Sequence, residues 1–235
     1  MRIVSWNCNG ALRKKFEKLR SLAGDIYVVQ ECENPAASVD IEYQKWRDQS
    51  LWLECSKHKG IGIFSDRHRL KKLDWASNGL ESFLPFTIDD EIIAIAVWTR
   101  YANSPTFGYI GQFWKYLQLH KDKIQGEKVI ICGDFNSSVR WDKWDRWWNH
   151  SDVVKELSAI EIESAYHHSQ CELQGEETRP TLFLQRNRQK PYHIDYFFIT
   201  SAYLATASVE IGSVDDWLEC GDHMPISLEI EAVSE

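Results

Sequence analysis

The chain has 235 residues, 43% hydrophobic and 26% charged, a globular composition that excludes disorder. No apolar run approaches the roughly 18 residues of a membrane span, which excludes a spanning helix. The 27 basic and 35 acidic residues leave a net charge of −8. That counts against broad basic coating of nucleic acid, yet fits a carboxylate site for a divalent cation or a nuclease with a local basic rim.

In chain order, Arg2–Trp6 is predicted as a strand with no apolar signal region before it. Leu12–Ala23 carries Leu12, Phe16, Leu19 and Leu22 at helical spacing, and Gly24 is placed as its C-cap. Asp25–Gln30 and Gly60–Ser65 follow as strands, then Glu91–Thr99. Tyr109–Lys123 is predicted as a helix with Ile110, Phe113, Leu117 and Ile124 as its buried stripe. Lys128–Cys132 is a strand running into Gly133-Asp134-Phe135-Asn136, and a further helix is expected to start at Ser151-Asp152 and reach Ser158. Four more strands are expected at Glu163–His167, Thr181–Gln185, His193–Thr200 and Met224–Glu231. No linker or repeat interrupts the pattern, so one domain over 1–235 is expected, with an α/β layered fold of mixed sheets.

Six cysteines occur without a CxxC pair or zinc spacing, which suits reduced thiols in a cytoplasmic protein. The segment Val139–His150 holds Trp141, Trp144, Trp147 and Trp148, out of 11 tryptophans in the chain. Two readings stand. Spacings of three and four put Trp141, Trp144 and Trp148 on one helical face that packs onto the sheet. Alternatively, interleaved with Arg140, Lys143 and Arg146, the rings form a stacking platform for bases. His167 and His168 end a predicted strand, so their side chains are expected on opposite faces.

The chemistry-bearing residues fall at strand ends. Asn7 and Asn9 follow the first strand, Gln30 and Glu31 end the second, and Asp134 and Asn136 end the Lys128–Cys132 strand. Asp195 lies inside His193–Thr200 among apolar residues, a costly place for an unpaired carboxylate. Asp222 and His223 precede the last strand. Strand ends that stop on oxygen donors are how a rigid scaffold aims ligands for Mg²⁺ or Mn²⁺ into one cleft.

Five segments in order, Ser5-Trp6-Asn7-Cys8-Asn9-Gly10, Asp25–Glu31, Gly133-Asp134-Phe135-Asn136, His193-Ile194-Asp195-Tyr196 and Gly221-Asp222-His223-Met224-Pro225-Ile226, resemble the motifs of the endonuclease/exonuclease/phosphatase superfamily. The resemblance implies a four-layer α/β sandwich, with two mixed sheets face to face and helices outside, and metal-dependent phosphoester hydrolysis. It implies Glu31 as the principal Mg²⁺ ligand (Mn²⁺ a possible substitute), with Asn7 and Asp222 near the metal. Asp134 would orient or deprotonate the attacking water, with Asn136 holding it or a phosphate oxygen. His223 would contact the phosphate, with Asp195 fixing its tautomer. Tyr101, in Arg100-Tyr101-Ala102-Asn103-Ser104-Pro105, stands where the family's phosphate-contacting tyrosine is expected. Asn9 is a substrate contact on the same grounds, and Arg186, Arg188 and Lys190 are expected to reach substrate phosphate from the loop before the Asp195 strand. The expected activity is a nuclease on DNA or RNA, acting as a monomer without an obligate protein partner. The alternatives are a phosphatase or phosphodiesterase on a small molecule or lipid headgroup, and a non-catalytic binding module.

Overall fold

The computed structural model describes residues 1–46, 50–101, 104 and 106–231. One six-stranded mixed sheet has the order β13 (Ser208–Ile211), β14 (Ile226–Glu229), β1 (Arg2–Asn7), β2 (Ile26–Cys32), β4 (Lys59–Phe64), β3 (Ser50–Ser56). The other has the order β5 (Leu70–Lys72), β6 (Phe83–Ile88), β7 (Ile92–Trp98), β8 (Val129–Asp134), β12 (Asp195–Thr200), β9 (Ile162–Ser164). A small hairpin joins β10 (Leu182–Phe183) to β11 (Pro191–Tyr192). In each sheet one central pair is parallel, β1 with β2 and β7 with β8, and the other pairings are antiparallel.

Side-chain alternation shows how the sheets stack. In β8, Ile130 and Cys132 join the large core that also holds Ile3 and Val28 of the other sheet, whereas Val129 and Ile131 join a second core. That second core packs β7, β8 and β12 against α3 (Ile110–Ile124) and α4 (His150–Ser158) through Phe113, Leu117, Val153 and Leu157. The period of two in a strand thus serves two layers at once, and each fully buried side chain contributes about 1.5–3 kcal/mol. On the other sheet, α1 (Phe16–Arg20) and α2 (Ile41–Lys45) bury Phe16, Leu19 and Tyr43. The expected two mixed sheets with helices outside are observed.

Several element boundaries differ from the sequence reading. Leu12–Ala23 is not one helix: a 3₁₀ turn (Leu12–Lys14) is separated from α1 by Lys15, and the left-handed residue at its end is Ala23 (φ 53), not Gly24. The N-cap of α4 is Asn149, in a reciprocal capping box with Asp152, so the helix starts one turn-third earlier than Ser151-Asp152 suggests. Strands β3, β5, β6, β11 (Pro191–Tyr192) and β13 were not anticipated: β5, β11 and β13 are short, β3 is largely half-buried, and β6 carries a proline, Pro85. His167 and His168 lie on a helix, α5 (Ala165–Gln170), not at a strand end. Thr181–Gln185 shrinks to β10 followed by a 3₁₀ turn. A last short helix, α6 (Val214–Trp217), precedes β14.

Candidate active site

Four strand ends converge where the two sheets meet. Asp134 and Asp195 pair across β8 and β12, and both share the parity of the residues facing the other sheet. From the opposite sheet Asn7, the last residue of β1, donates from Nδ2 to Asp134 Oδ2 at 2.9 Å and to Glu31 Oε1 at 3.2 Å. One carboxamide therefore ties the two sheets together at their ends.

Glu31 reaches this point through a backbone irregularity. Gln30 pairs with Ile61 and Cys32 with Gly60, so Glu31 is the extra residue of a bulge, and its φ is 61°. A bulge re-aims a side chain that strict alternation would send to the other face. A non-glycine residue at positive φ carries strain, a recurrent feature of functional sites. Gly133 has φ 141°, and a Cβ there would lie 1.9 Å from the Val97 carbonyl oxygen. Only glycine lets β8 approach β7 this closely just before Asp134.

Asn136, also left-handed (φ 44), folds back on Asp134: its backbone N–H donates to Oδ1 and its Nδ2 to Oδ2, both at 2.8 Å. Its Nδ2 also donates to the Thr99 carbonyl at 3.1 Å. On the other side, His223 Nδ1 donates to Asp195 Oδ2 at 3.0 Å, and its Nε2 stands 4.0 Å from Asp134 Oδ2. Asp195 is held by its strand and by Thr181, whose hydroxyl oxygen accepts the backbone N–H groups of Ile194 and Asp195. Trp6 Nε1 donates to the His223 carbonyl at 2.9 Å. Asn9 Nδ2 donates to Asp222 Oδ1 at 3.1 Å, and the Asp222 carbonyl accepts from Phe183 N at 2.7 Å.

Asp134, Asp195 and His223 are all buried. Burial pushes the Asp134 carboxyl up, and the Asp195 charge pushes it further, against His223 and the Asn7 hydrogen bond, to about 7. Burial alone would depress the His223 imidazole. The carboxylates of Asp195 and Asp134 outweigh it and raise the imidazole above its ordinary value, to about 10. The His223 imidazole therefore carries its proton at neutral pH, facing both carboxylates.

These three residues are also the group whose ligand atoms, all within 4.8 Å of one another, could hold a metal ion. The His223 nitrogens are already committed, one to Asp195 and the other facing Asp134. Glu31 and Asp222 offer carboxylate oxygens, the donors a hard cation prefers, while Asn7, whose Oδ1 accepts from Asn9 N at 3.0 Å, turns its Nδ2 to Glu31 and Asp134. Glu31 also already attracts a cation, the Lys59 ammonium, which is in ion-pair contact with Oε2. A hollow of about 620 Å³ opens beside this pair, bounded in part by Gly10, Arg13, Lys57 and Lys59.

Of the residues singled out from sequence, Asn7, Asn9, Glu31, Asp134, Asn136 and Asp222 thus form one hydrogen-bonded set, and the hydrogen-bonded His223–Asp195 pair faces it with His223 Nε2 4.0 Å from Asp134 Oδ2. Arg186, Arg188 and Lys190 are exposed on the loop between β10 and β11. Arg188 is paired with Asp215 at 2.6 Å. Tyr101 is exposed and faces Tyr109, their rings 6.0 Å apart; Ala102, Asn103 and Pro105 of its segment lie outside the described residues. His168 is exposed and His167 is paired with Glu177 at 3.1 Å, away from the strand-end network. Sequence reasoning missed Lys59, Thr99, Thr181 and Trp6. Each acts through contacts to residues far away in the chain, for which local sequence carries no signal.

Residues 4–223 match the profile of the Endonuclease/Exonuclease/phosphatase family. The chain belongs to the Endonuclease/Exonuclease/phosphatase family. Solved structures share the family fold over 99% of this chain and 100% of theirs. They include a 3′ phosphatase, NExo, from Neisseria bound to a product DNA hairpin (TM-score 0.75, 19% identity) and a 3′-5′ exonuclease from Neisseria meningitidis (0.74, 19%). An AP endonuclease from Archaeoglobus fulgidus is similar at TM-score 0.73 and 15% identity. No curated protein matches the chain by sequence. Among the described residues no helix is long and apolar enough to cross a membrane.

Proposed function

We propose that the chain is a divalent-metal-dependent phosphodiesterase that hydrolyses nucleic acid by in-line attack of water on phosphorus. The observation that carries the reading is the His223 imidazole set between two buried carboxylates, one of which, Asp134, is joined through Asn7 to Glu31. Asp134, near neutral in proton affinity and steadied by Asn7 and Asn136, suits a general base that takes a proton from water. The new P–O bond forms as the ester P–O bond breaks, and the leaving oxygen takes a proton from solvent, to which Asp134 returns the one it accepted. The protonated His223, held by Asp195, offers an N–H to the phosphate oxygen on which charge develops. Glu31, with Asn7 and Asp222, would hold Mg²⁺, or Mn²⁺ in its place. That ion would neutralise phosphate charge.

Nucleic acid is favoured as substrate by the family and by neighbours described as an exonuclease, an AP endonuclease and a DNA-bound 3′ phosphatase. Asn9, the loop cations Arg186, Arg188 and Lys190, and Tyr101 are the assigned substrate contacts. The test is hydrolysis of plasmid DNA, an abasic-site duplex, a 3′-phosphorylated strand and single-stranded RNA with Mg²⁺, Mn²⁺ or EDTA, beside His223→Ala. Cleavage that requires both metal and His223 supports the reading. Hydrolysis of inositol phosphates or sphingomyelin with none of these nucleic acids touched overturns the substrate class.

A further inference from the structure

The tryptophan-rich segment after Asn136 forms neither a helix nor a core. A 3₁₀ turn covers Val139–Trp141, and the chain then runs irregularly to α4. Trp144 is 98% exposed and Trp147 66%. The packing reading of Trp141, Trp144 and Trp148 on one helical face is therefore overturned: of the three only Trp148 is buried, against Phe107 and Gly111, where a Cβ would meet its ring at 2.8 Å. The physical reason is that Asn149 and Asp142 recruit this stretch into a cap. Asn149 Oδ1 accepts from Lys143 N and Arg146 Nε, and its Nδ2 donates to the carbonyls of Lys143 and Arg146. Asp142 accepts the N–H groups of His150 and Ser151. The loop is thus locked in a form that holds its tryptophans outward.

Contiguous exposed aromatic surface on a folded chain marks a binding site more often than chance exposure does. Here Trp147 lines a cavity of about 410 Å³ with Tyr101, Tyr109, Lys143, Arg146 and Trp148, and Trp144 follows Lys143 in the same loop. The Arg146 guanidinium lies 4.3 Å over the Trp148 ring. Tyr109 is held at φ 53 by a bond from its N–H to the Arg100 carbonyl. Of the acidic residues in the segment, Asp142 is consumed by the α4 cap and Asp145 borders the cavity, against the cations Arg140, Lys143 and Arg146. A chain with net charge −8 thus keeps a cationic, aromatic surface here.

Both ends of this surface are tied to the active site. Tyr101 lies two residues beyond Thr99, whose carbonyl holds Asn136. Trp141 packs on Tyr192 at 5.2 Å; Tyr192 pairs with Leu182, and Leu182 bridges to His223.

We propose that Trp144, Trp147 and the Tyr101–Tyr109 cavity are a stacking site for unpaired bases of a single-stranded nucleic acid, with Lys143 and Arg146 meeting its phosphates. The inference rests on the nuclease reading and deepens it: the preferred substrate carries a single-stranded stretch next to the scissile phosphate. Stacking on aromatic rings tolerates any base, because every base has a π-face. A loop already locked in its bound form loses little freedom on binding.

The experiment is fluorescence anisotropy of a labelled single-stranded oligothymidylate with the full-length protein in EDTA, which prevents turnover. Trp144→Ala and Trp147→Ala should each weaken binding roughly 5- to 100-fold, with unchanged melting temperature. Trp144→Phe should restore much of the affinity. Leu119→Ala, which removes an exposed apolar side chain of α3, should leave binding as it is. Unchanged affinity in both tryptophan variants overturns the site. So does equal weakening by Leu119→Ala, which would mark general stickiness of a surface suited to a protein partner. Failure of the nuclease reading is separate: wild type that cleaves nucleic acid with tryptophan-independent binding sinks only the stacking site. Tryptophan-dependent binding without cleavage sinks only the hydrolysis.

Discussion

The Nδ1 atom of His223 lies 3.0 Å from Oδ2 of Asp195, while its Nε2 faces Oδ2 of Asp134 at 4.0 Å. One buried imidazole therefore sits between two buried carboxylates, and its protonated form is favoured by both. Only the tertiary fold creates this arrangement, because the three residues come from β8, β12 and the turn before β14.

Asp195→Asn removes the nearer of the two charges that raise the His223 imidazole. The His223 pKa should fall from its raised position toward the ordinary histidine value. NMR titration of the ring protons in metal-free protein reads this directly. An unmoved titration would mean that Asp195 does not govern the imidazole. The same variant should lose most turnover at neutral pH, where the wild-type ring still carries its proton.

Glu31 and Lys59 should act in opposite directions on Mg²⁺. Glu31→Gln removes the charged oxygen donor and should abolish measurable Mg²⁺ binding by calorimetry. It should also cost on the order of 10³-fold in turnover, several kcal/mol of transition-state stabilisation, without unfolding the chain. Lys59→Met removes the ammonium that competes for Glu31 Oε2, so Mg²⁺ should bind more tightly than to wild type. Weaker binding in Lys59→Met would show that the lysine supports the ion instead of displacing it.

Gly133→Ala should destabilise by more than about 2 kcal/mol, since the added methyl meets the Val97 carbonyl at φ 141°. It should also displace Asp134, so that thermal melting and turnover fall together. Retained activity in the folded fraction would mean that β8 relaxes without moving its terminal carboxylate.

His150 gives an acid dependence independent of the active site. It is fully buried, and burial depresses its pKa to about 4, with His167 adding to the effect and Asp142, Glu177 and Gln174 opposing it. The unfolded chain binds that proton near pH 6.5 and the native chain does not. The stability is therefore complete above pH 6.5 and is lost as pH falls toward 4, on the order of 3 kcal/mol at the lower end. Urea unfolding at pH 7, 5.5 and 4 should show this loss in wild type and a shallower one in His150→Gln. Parallel curves would remove His150 from the acid response.

The linear order of residues was enough to read the layered α/β class, because β8 and β12 are short continuous apolar runs and α3 carries Phe113 and Leu117 one turn apart. It was also enough to read the polar strand ends Asn7, Glu31, Asp134, Asp195 and His223, since a carboxylate or imidazole closing an apolar strand is conspicuous without coordinates. Strand content was underestimated where β3 mixes exposed and buried positions, or where pairing, not pattern, makes the strand. The tryptophan segment was misread as a helix because periodicity is a local measure. Asn149 and Asp142 win that competition by giving the backbone N–H groups of α4 and its approach better partners than a continued helix would.

The sequence by itself determined which side chains can do chemistry and on which strands they ride, because side-chain type and alternation are local properties. Tertiary structure alone decided three other things. It set the bulge that turns Glu31 toward Asn7, the pairing of Lys59 with Glu31, and the outward lock of Trp144 and Trp147. Each depends on contacts between segments far apart in the chain, and no local pattern records the free energy of such contacts.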